Sequence, residues 1–526
     1  MFERLRRNIK DKVNRMGEAT GAFKKDIFEL EGVPAFREFY TLFIFVWQAI
    51  YKGFYRAWHE VDVHTIRDPK GKKRTLATMN AGKMACAQMA RYVWNEQCRI
   101  TASMASAPED DPLDNFLQEV LKDNSFYTAF GDLLEKSFAL GGGALREWVE
   151  VPKDENGNDA GEGRIRIGYT MASQFVPTAW NNSKVTAGIF VSREARDGYY
   201  YTVVEWHKLD GTTYRVTNDL YRVPIKDGEP QNILGWWYPL DKIYPLLSPD
   251  TTIEDVEHAF FQYVRPFGAN YADDNSPLGM SIYSSALNTL HGIDIMFDSL
   301  QREFVLGKKR IIAPARVMKT SVLNGSRPQR YFDADDEVWE ALATDNPEDL
   351  KVIDNSVGLR VNEHITGING DLSILCAQIG FDPGTLSFDA QKGLKTATEV
   401  ISENSKTFGT VKAHENIVRE ALEDMVHAIF ELAVHYGLTY NGQSVESLIS
   451  GGYSVSVTFD DSIIEDKNAE INQGIALVGA SLMSKKKFMC DVLGYTPEDA
   501  DNELAQIAEE GKGNAVEVTR LFGGMN

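Results

Sequence analysis

The chain has 526 residues, with 55 Lys and Arg against 76 Asp and Glu, for a net charge of −21. A hydrophobic content of 43% and a charged content of 25% are those of a soluble globular protein, and the length allows roughly two to four domains around a sizeable core. The acidic balance argues against a DNA-gripping surface. It does not argue against a channel through which DNA slides, because close phosphate contacts would stall a moving duplex.

The N-terminus, MFERLRRNIKDKVNRMG, is charged and lacks the apolar core of a secretory signal. Residues 1–31 read as a basic amphipathic helix. Residues 35–58 are unusually aromatic, but the uncharged run 39–51 is too short to span a bilayer; the pattern predicts a buried or subunit-facing helix. Further helices are expected over 76–105 and 113–139. The glycines 141–143 fit neither GxGxxG nor GxxxxGK[ST], so they predict a turn into a strand rather than a phosphate loop. From 144 to 245 the character changes. ALREWVEV and GRIRIGYT flank a turn-rich loop, and GIFVSRE, GYYYTVVEWHKL, TTYRVTNDLYRV and the WWYPL–IYPLL run add strands separated by Asp-Gly turns. A β-rich subdomain embedded in helices makes the fold class α+β.

A long helix is expected over 280–309, ending in Lys308, Lys309 and Arg310, cations that suit a helix C-terminus. Residues 311–358 form a compact acidic insert between strand candidates. A third helix over 359–380 carries Val361, Ile365, Ile368, Leu372, Leu375 and Ile379 in a packing seam. The loop FDPGTLSFDAQKGLK then feeds a very long helix, 396–438, about 60 Å in length at about 1.5 Å per residue. Gly409 is its expected kink and Gly437 its expected C-cap. Residues 453–459 alternate as a strand, and 463–510 read as helical.

Chemistry-bearing motifs are missing. There is no Walker A loop, GxSxG or HExxH. The nine histidines include no metal-binding pair on one helix face, and satisfied or exposed histidines are expected. The four cysteines, Cys86, Cys98, Cys376 and Cys490, form no CxxC pair and favour a reducing compartment. The acids Asp333, Asp335, Asp336 and Glu337 lack EF-hand spacing and read as a solvated face. No enzyme, metal or cofactor is expected.

The order of these parts resembles the portal proteins of tailed bacteriophages, and most closely the type of siphophages that infect Gram-positive bacteria. The likeness rests on VWQAIYKGFYRAW (46–58), LGGGALREWVE (140–150), NSPLGMSIYSSALNTLHGIDIMFDSLQREFVLGKKRII (275–312) and GLKTATEVISENSKTFGTVKAHENIVREALEDMVHAI (393–429). It implies a portal fold: a wing at 1–278, stem helices at 279–312 and 359–381, a small α/β clip at 313–358, a tunnel loop at 382–395, a long kinked wing helix at 396–438 and a helical crown at 439–526.

By the same resemblance the protein forms a dodecameric ring at one capsid vertex, present in the virion and, during assembly, in the host cytoplasm. Double-stranded DNA passes through the ring whatever its sequence. The implied partners are the terminase large subunit, a head-completion or adaptor protein, and the major capsid and scaffolding proteins. Gln391, Lys392 and Lys395 are the expected DNA-facing groups, and Asp382 and Asp389 bring the formal charge of that loop to zero. Lys308, Lys309 and Arg310 form a basic cluster at the stem end. Asp333, Asp335, Asp336, Glu337 and Glu340 are the expected docking acids for motor and connector. The competing readings are another phage minor head protein and a membrane-peripheral scaffold using 35–58.

Overall fold

The computed structural model describes residues 23–307 except 66–67, 107–110, 153–160, 183 and 226–232; it then describes 311–312, 319–321, 329–331, 353–354, 358–387, 405–460 and, with short gaps, 474–507.

Local pattern loses to distant pairing at the start of the chain. Where a helix is expected, Phe23–Lys24 is a strand, β1, and Ile27–Glu29 is one 3₁₀ turn whose cap, Asp26, accepts the Phe28 N–H. Residues 35–58 are helical in pieces: a π-helical turn at Phe39–Ile44, helix α1 at Phe45–Tyr51, and a single turn at Arg56–His59 beyond Gly53, whose φ is +77°. Phe39, Ile44, Trp47 and Ile50 face the core, while Leu42 and Phe45 are each 62% exposed. A hairpin follows, β2 (Glu60–Thr65) with β3 (Asp68–Thr75).

Helix α2, Ala81–Val93, stops short of the expected 105. Residues Arg99–Met104 are instead strand β4, paired with Tyr453–Thr458. The outer edge of β4 is closed by side chains: Asp114 accepts the Ala102 N–H at 2.9 Å and Asp111 the Met104 N–H at 2.8 Å. The helix expected over 113–139 is two, α3 (Pro112–Asp123) and α4 (Phe126–Leu140). It breaks at Asn124 and at Ser125, whose φ is +49°. The cause is tertiary: the Asn124 side chain donates to the Ile165 carbonyl and accepts the Ile167 N–H, pinning the hairpin beneath. Gly141 then ends α4 with φ +82°, and a Cβ there would lie 2.4 Å from the Gly279 carbonyl oxygen. The glycine run is thus a turn into a strand, as expected, and a close backbone crossing that excludes any side chain.

Strands β5 (Gly143–Glu150) and β6 (Arg164–Met171) form the hairpin read from the sequence. β7 (Phe175–Asn181), β8 (Lys184–Arg196), β9 (Tyr199–Asp210), β10 (Thr213–Pro224), β11 (Gly235–Tyr238) and β12 (Asp250–Ile253) join β1 in a seven-stranded antiparallel sheet, ordered β1-β11-β10-β9-β8-β7 with β12 on β10. Residues 240–242, expected as part of a strand, make a 3₁₀ turn that lays Leu240 over Tyr201, Val203 and Leu220. β13 (Phe261–Val264) pairs with β5 in a three-stranded sheet.

Three helices follow: α5 (Leu287–Leu306), α6 (Val361–Ile379) and α7 (Ser405–His435). α5 starts later than the expected 280, because the Ile282 N–H and the Ser281 hydroxyl are both drawn to the Phe138 carbonyl. Between α5 and α6, Ile311–Ile312 pairs with Ile353–Asp354, and Lys319–Ser321 with Gln329–Tyr331. α7 continues through Gly409 and ends as expected at Gly437, φ +61°. The Leu438 N–H reaches back to the Ala433 carbonyl and the Gly437 N–H to that of Val434, which satisfies the last carbonyls. Residues 439–452 hold a short hairpin and a helical turn at Val445–Ile449, and Tyr453–Thr458 is the strand expected from the alternation, paired with β4. That strand packs its Tyr453 on Phe430 of α7. One main core joins α1, α2, α4, α5, α6 and α7. A second lies where Ala428 and Leu432 of α7 meet Phe175, Phe190, Phe260 and Phe261.

One acid lies inside this packing. Glu147 of β5 is 2% exposed, and neither carboxylate oxygen has a protein partner among the described residues. Its neighbour Gln262 turns its amide N–H to the Ala259 carbonyl. Burial pushes the Glu147 carboxyl up to about 8. The native state therefore keeps a proton that the unfolded chain releases near its ordinary value, and stability falls as pH rises from there to about 8. Glu147→Gln, neutral at every pH, is expected to remove this slope and to raise stability at pH 8 by on the order of 3 kcal/mol. Thermal unfolding of both proteins across that range checks it; parallel curves contradict it.

Candidate channel helices and their anchorage

α5 and α6 form an antiparallel hairpin. At one end the Thr289 hydroxyl donates to Gln378 at 2.9 Å; at the other, Arg360 grips Glu303 through Nε at 3.2 Å and Nη2 at 3.1 Å. The seam between them is apolar. Ile368, Leu372, Leu375 and Ile379 of α6 are buried, as the spacing predicts, with Leu290, Ile293 and Leu300 of α5. At the far end of α5, Phe304, Val305 and Leu306 are 51%, 62% and 50% exposed.

The buried face of α5 also carries two aspartates, Asp294 and Asp298, one helical turn apart. Asp294 Oδ2 lies 3.0 Å from His59 Nε2; its Oδ1 accepts the Thr78 hydroxyl at 2.8 Å and the Met79 N–H at 2.9 Å. Asp298 Oδ1 accepts Arg74 Nη1 at 2.6 Å and the Ala77 N–H at 3.0 Å. Burial works against the Asp298 charge, yet the Arg74 guanidinium and the Ala77 N–H hold this carboxyl below the usual carboxylate range. Alongside, Trp58 stacks on His291 with ring centroids 4.9 Å apart. The hairpin is thus tied to the body through β3, the 76–79 connection and the turn at Arg56–His59. The sequence reading missed this anchorage. Its one signal is an acid pair at i, i+4 inside an apolar stretch, IDIMFDSL.

The chain leaving α6 is clamped against α7. Gly380, φ +88°, ends α6 against Thr410, whose hydroxyl donates to the Gly380 carbonyl at 2.8 Å. Phe381 is fully buried and meets Tyr92 edge-on. Asp382 and Thr407 bond reciprocally: the Asp382 N–H donates to the Thr407 hydroxyl, and the Thr407 N–H to Asp382 Oδ2, both at 2.8 Å. An acid at the first turn of α7 also suits the helix dipole. Asp382 is 8% exposed and held by Thr407. Gln391, Lys392 and Lys395 lie outside the described residues, as do Lys308, Lys309 and Arg310 and the acids Asp333, Asp335, Asp336, Glu337 and Glu340.

Among the described residues no group of three His, Cys, Asp or Glu is placed to hold a metal, and no helix is long and apolar enough to cross a membrane. The described histidines His59, His207, His258, His414 and His427 each have a partner.

Residues 44–517 match the family described as phage portal protein, SPP1 Gp6-like. The chain belongs to this portal family. A portal protein is a component of the phage virion, at the capsid. A solved chain from the neck of an empty GTA particle, computed with C6 symmetry, is 13% identical, with a TM-score of 0.37 over 79% of this chain and 90% of that one. No curated protein sequence matches this portal chain.

Removing one acid of the anchorage leaves its donors buried without an acceptor. Asp294→Ala is expected to destabilise the portal subunit by about 2–4 kcal/mol, because His59, Thr78 and the Met79 N–H all lose their partner. The unfolding midpoint measures it. A midpoint within error of the parent contradicts the anchoring role.

Proposed function

We propose that this chain closes into a dodecameric ring at one capsid vertex and forms the channel through which double-stranded DNA is packaged and ejected. Its kind is that of siphophages infecting Gram-positive hosts. The observation that carries the reading is the family match over 44–517. Three features support it. The α5–α6 hairpin is a pair of helices anchored through Asp294 and Asp298, suited to lining a pore. The segment after α6 begins on a clamp between Asp382 and Thr407 of α7. The acidic balance of the chain, −21, suits a wall past which DNA slides.

In this reading the hairpin is the stem and 313–358 is the clip. Asp333, Asp335, Asp336, Glu337 and Glu340 would meet basic surfaces of the terminase large subunit during packaging and of the head-completion protein afterwards. Lys308, Lys309 and Arg310 would sit where stem meets clip. Major capsid and scaffolding proteins would surround the wing. The protein hydrolyses nothing itself; the motor supplies the work.

Gln391, Lys392 and Lys395 would face DNA. With Asp382 withdrawn into the clamp, the loop's remaining charges are Asp389, Lys392 and Lys395, so each subunit offers a weak positive contact to phosphates whatever the sequence. Lys392→Ala combined with Lys395→Ala is expected to leave ring yield unchanged and to lower DNA packaging or retention several-fold, with a shallower salt dependence. Packaging assays with both rings test this. A full-length genome packaged at the parental rate and held as stably would sink the assignment of the loop.

A further inference from the structure

The joint between the seven-stranded sheet and α7 carries ionisable side chains that the portal reading does not use. His258, on the connection before β13, stacks on His427 of α7 with ring centroids 4.8 Å apart and planes 18° from parallel. Glu431 Oε1 lies 2.6 Å from His258 Nδ1, while its Oε2 accepts the N–H groups of Glu257 and His258, each at 3.1 Å. One carboxylate therefore holds the connection at three atoms. His427 Nδ1 lies 2.7 Å from the Tyr453 hydroxyl, which orients the second ring. Beside the pair is a cavity of about 120 Å³, whose lining includes Lys184, Glu257, His258, Gln262 and Asp424 and through which protons can reach the joint.

We propose that the stacked pair His258–His427 is an acid-sensitive latch that holds residues 254–260, and with them the sheet, on the long helix. The titratable and charged groups around the pair are Glu431 and Asp424 on α7, Glu257 on the connection, Lys184 on β8 and Tyr453 on the strand beside α7. Lys184 and Asp424 are paired at 2.6 Å. The hydrogen bond to Glu431 raises the proton affinity of His258; burial, and then the charge of His258, lower that of His427. While His258 alone carries the proton, a cationic imidazole lies on a neutral one, which is attractive. As pH falls through the lowered value of His427, two cationic rings face each other and the stack becomes repulsive. The open form takes up the second proton more readily than the closed form, so acid favours opening. At higher pH, loss of the His258 proton weakens its bond to Glu431. The latch is tightest while His258 alone is protonated.

Hydrogen exchange of the full-length protein at about pH 7.5 and about pH 5.5, corrected for intrinsic rates, tests the latch. In the parent, peptides covering 254–264 and 423–434 should exchange about tenfold faster at the lower pH. His427→Gln removes the second proton site and should lose most of that acid increment; His258→Gln removes the facing cation and should lower the increment, leaving the part due to burial of His427. The second variant serves if the first does not fold. No increment in the parent, or the same increment in the parent and the folded variants, overturns the proposal.

Discussion

The described architecture depends on two buried aspartates. Asp294 and Asp298 stand on the inner face of α5, where an apolar residue would be the simpler choice for packing. Burying two carboxylates is costly unless they are bonded, and here Asp294 is bonded through both oxygens and Asp298 through Oδ1, by groups that all come from residues 59–79. Hydrophobic contacts alone tolerate sliding by a turn; charged hydrogen bonds at fixed positions do not. The pairs therefore set the register and rotation of the α5–α6 hairpin on the body. A pore-lining element needs that property, because an error in one subunit would be repeated around a ring.

α7 supplies the complementary constraint. Its apolar face runs beneath both cores; Thr407 near its first described turn is bonded to Asp382, and its last carbonyls are satisfied through Gly437 and Leu438. α7 thus holds the start of the loop after α6, while the hairpin itself is held by residues 59–79. The histidine joint lies farther along the same helix, where the sheet rests on it.

Much of this was legible in the sequence. The seam Ile368–Leu372–Leu375–Ile379 follows from helical spacing, the Gly437 cap from the end of the apolar pattern, and the β-rich middle from alternation and Asp-Gly turns. The order of these parts was enough to point to the portal family. What was not legible depends on partners far along the chain. His59 and Asp294 are 235 positions apart, so no local pattern announces their bond. β4 reads as the end of a helix because its partner strand, Tyr453–Thr458, lies beyond α7. The split between α3 and α4 needs the β6 hairpin that Asn124 grips. Asp382 reads as loop charge until Thr407 is placed beside it. In each case a tertiary hydrogen bond overrides a local preference.

The central claim is that these subunits surround a pore. Negative-stain imaging of the purified full-length protein, with class averages and a mass measured across a range of concentrations, tests it most directly. The account predicts closed rings with a central opening and a mass that is a fixed multiple of the subunit. Monomers at every concentration, with and without scaffolding protein, would contradict it.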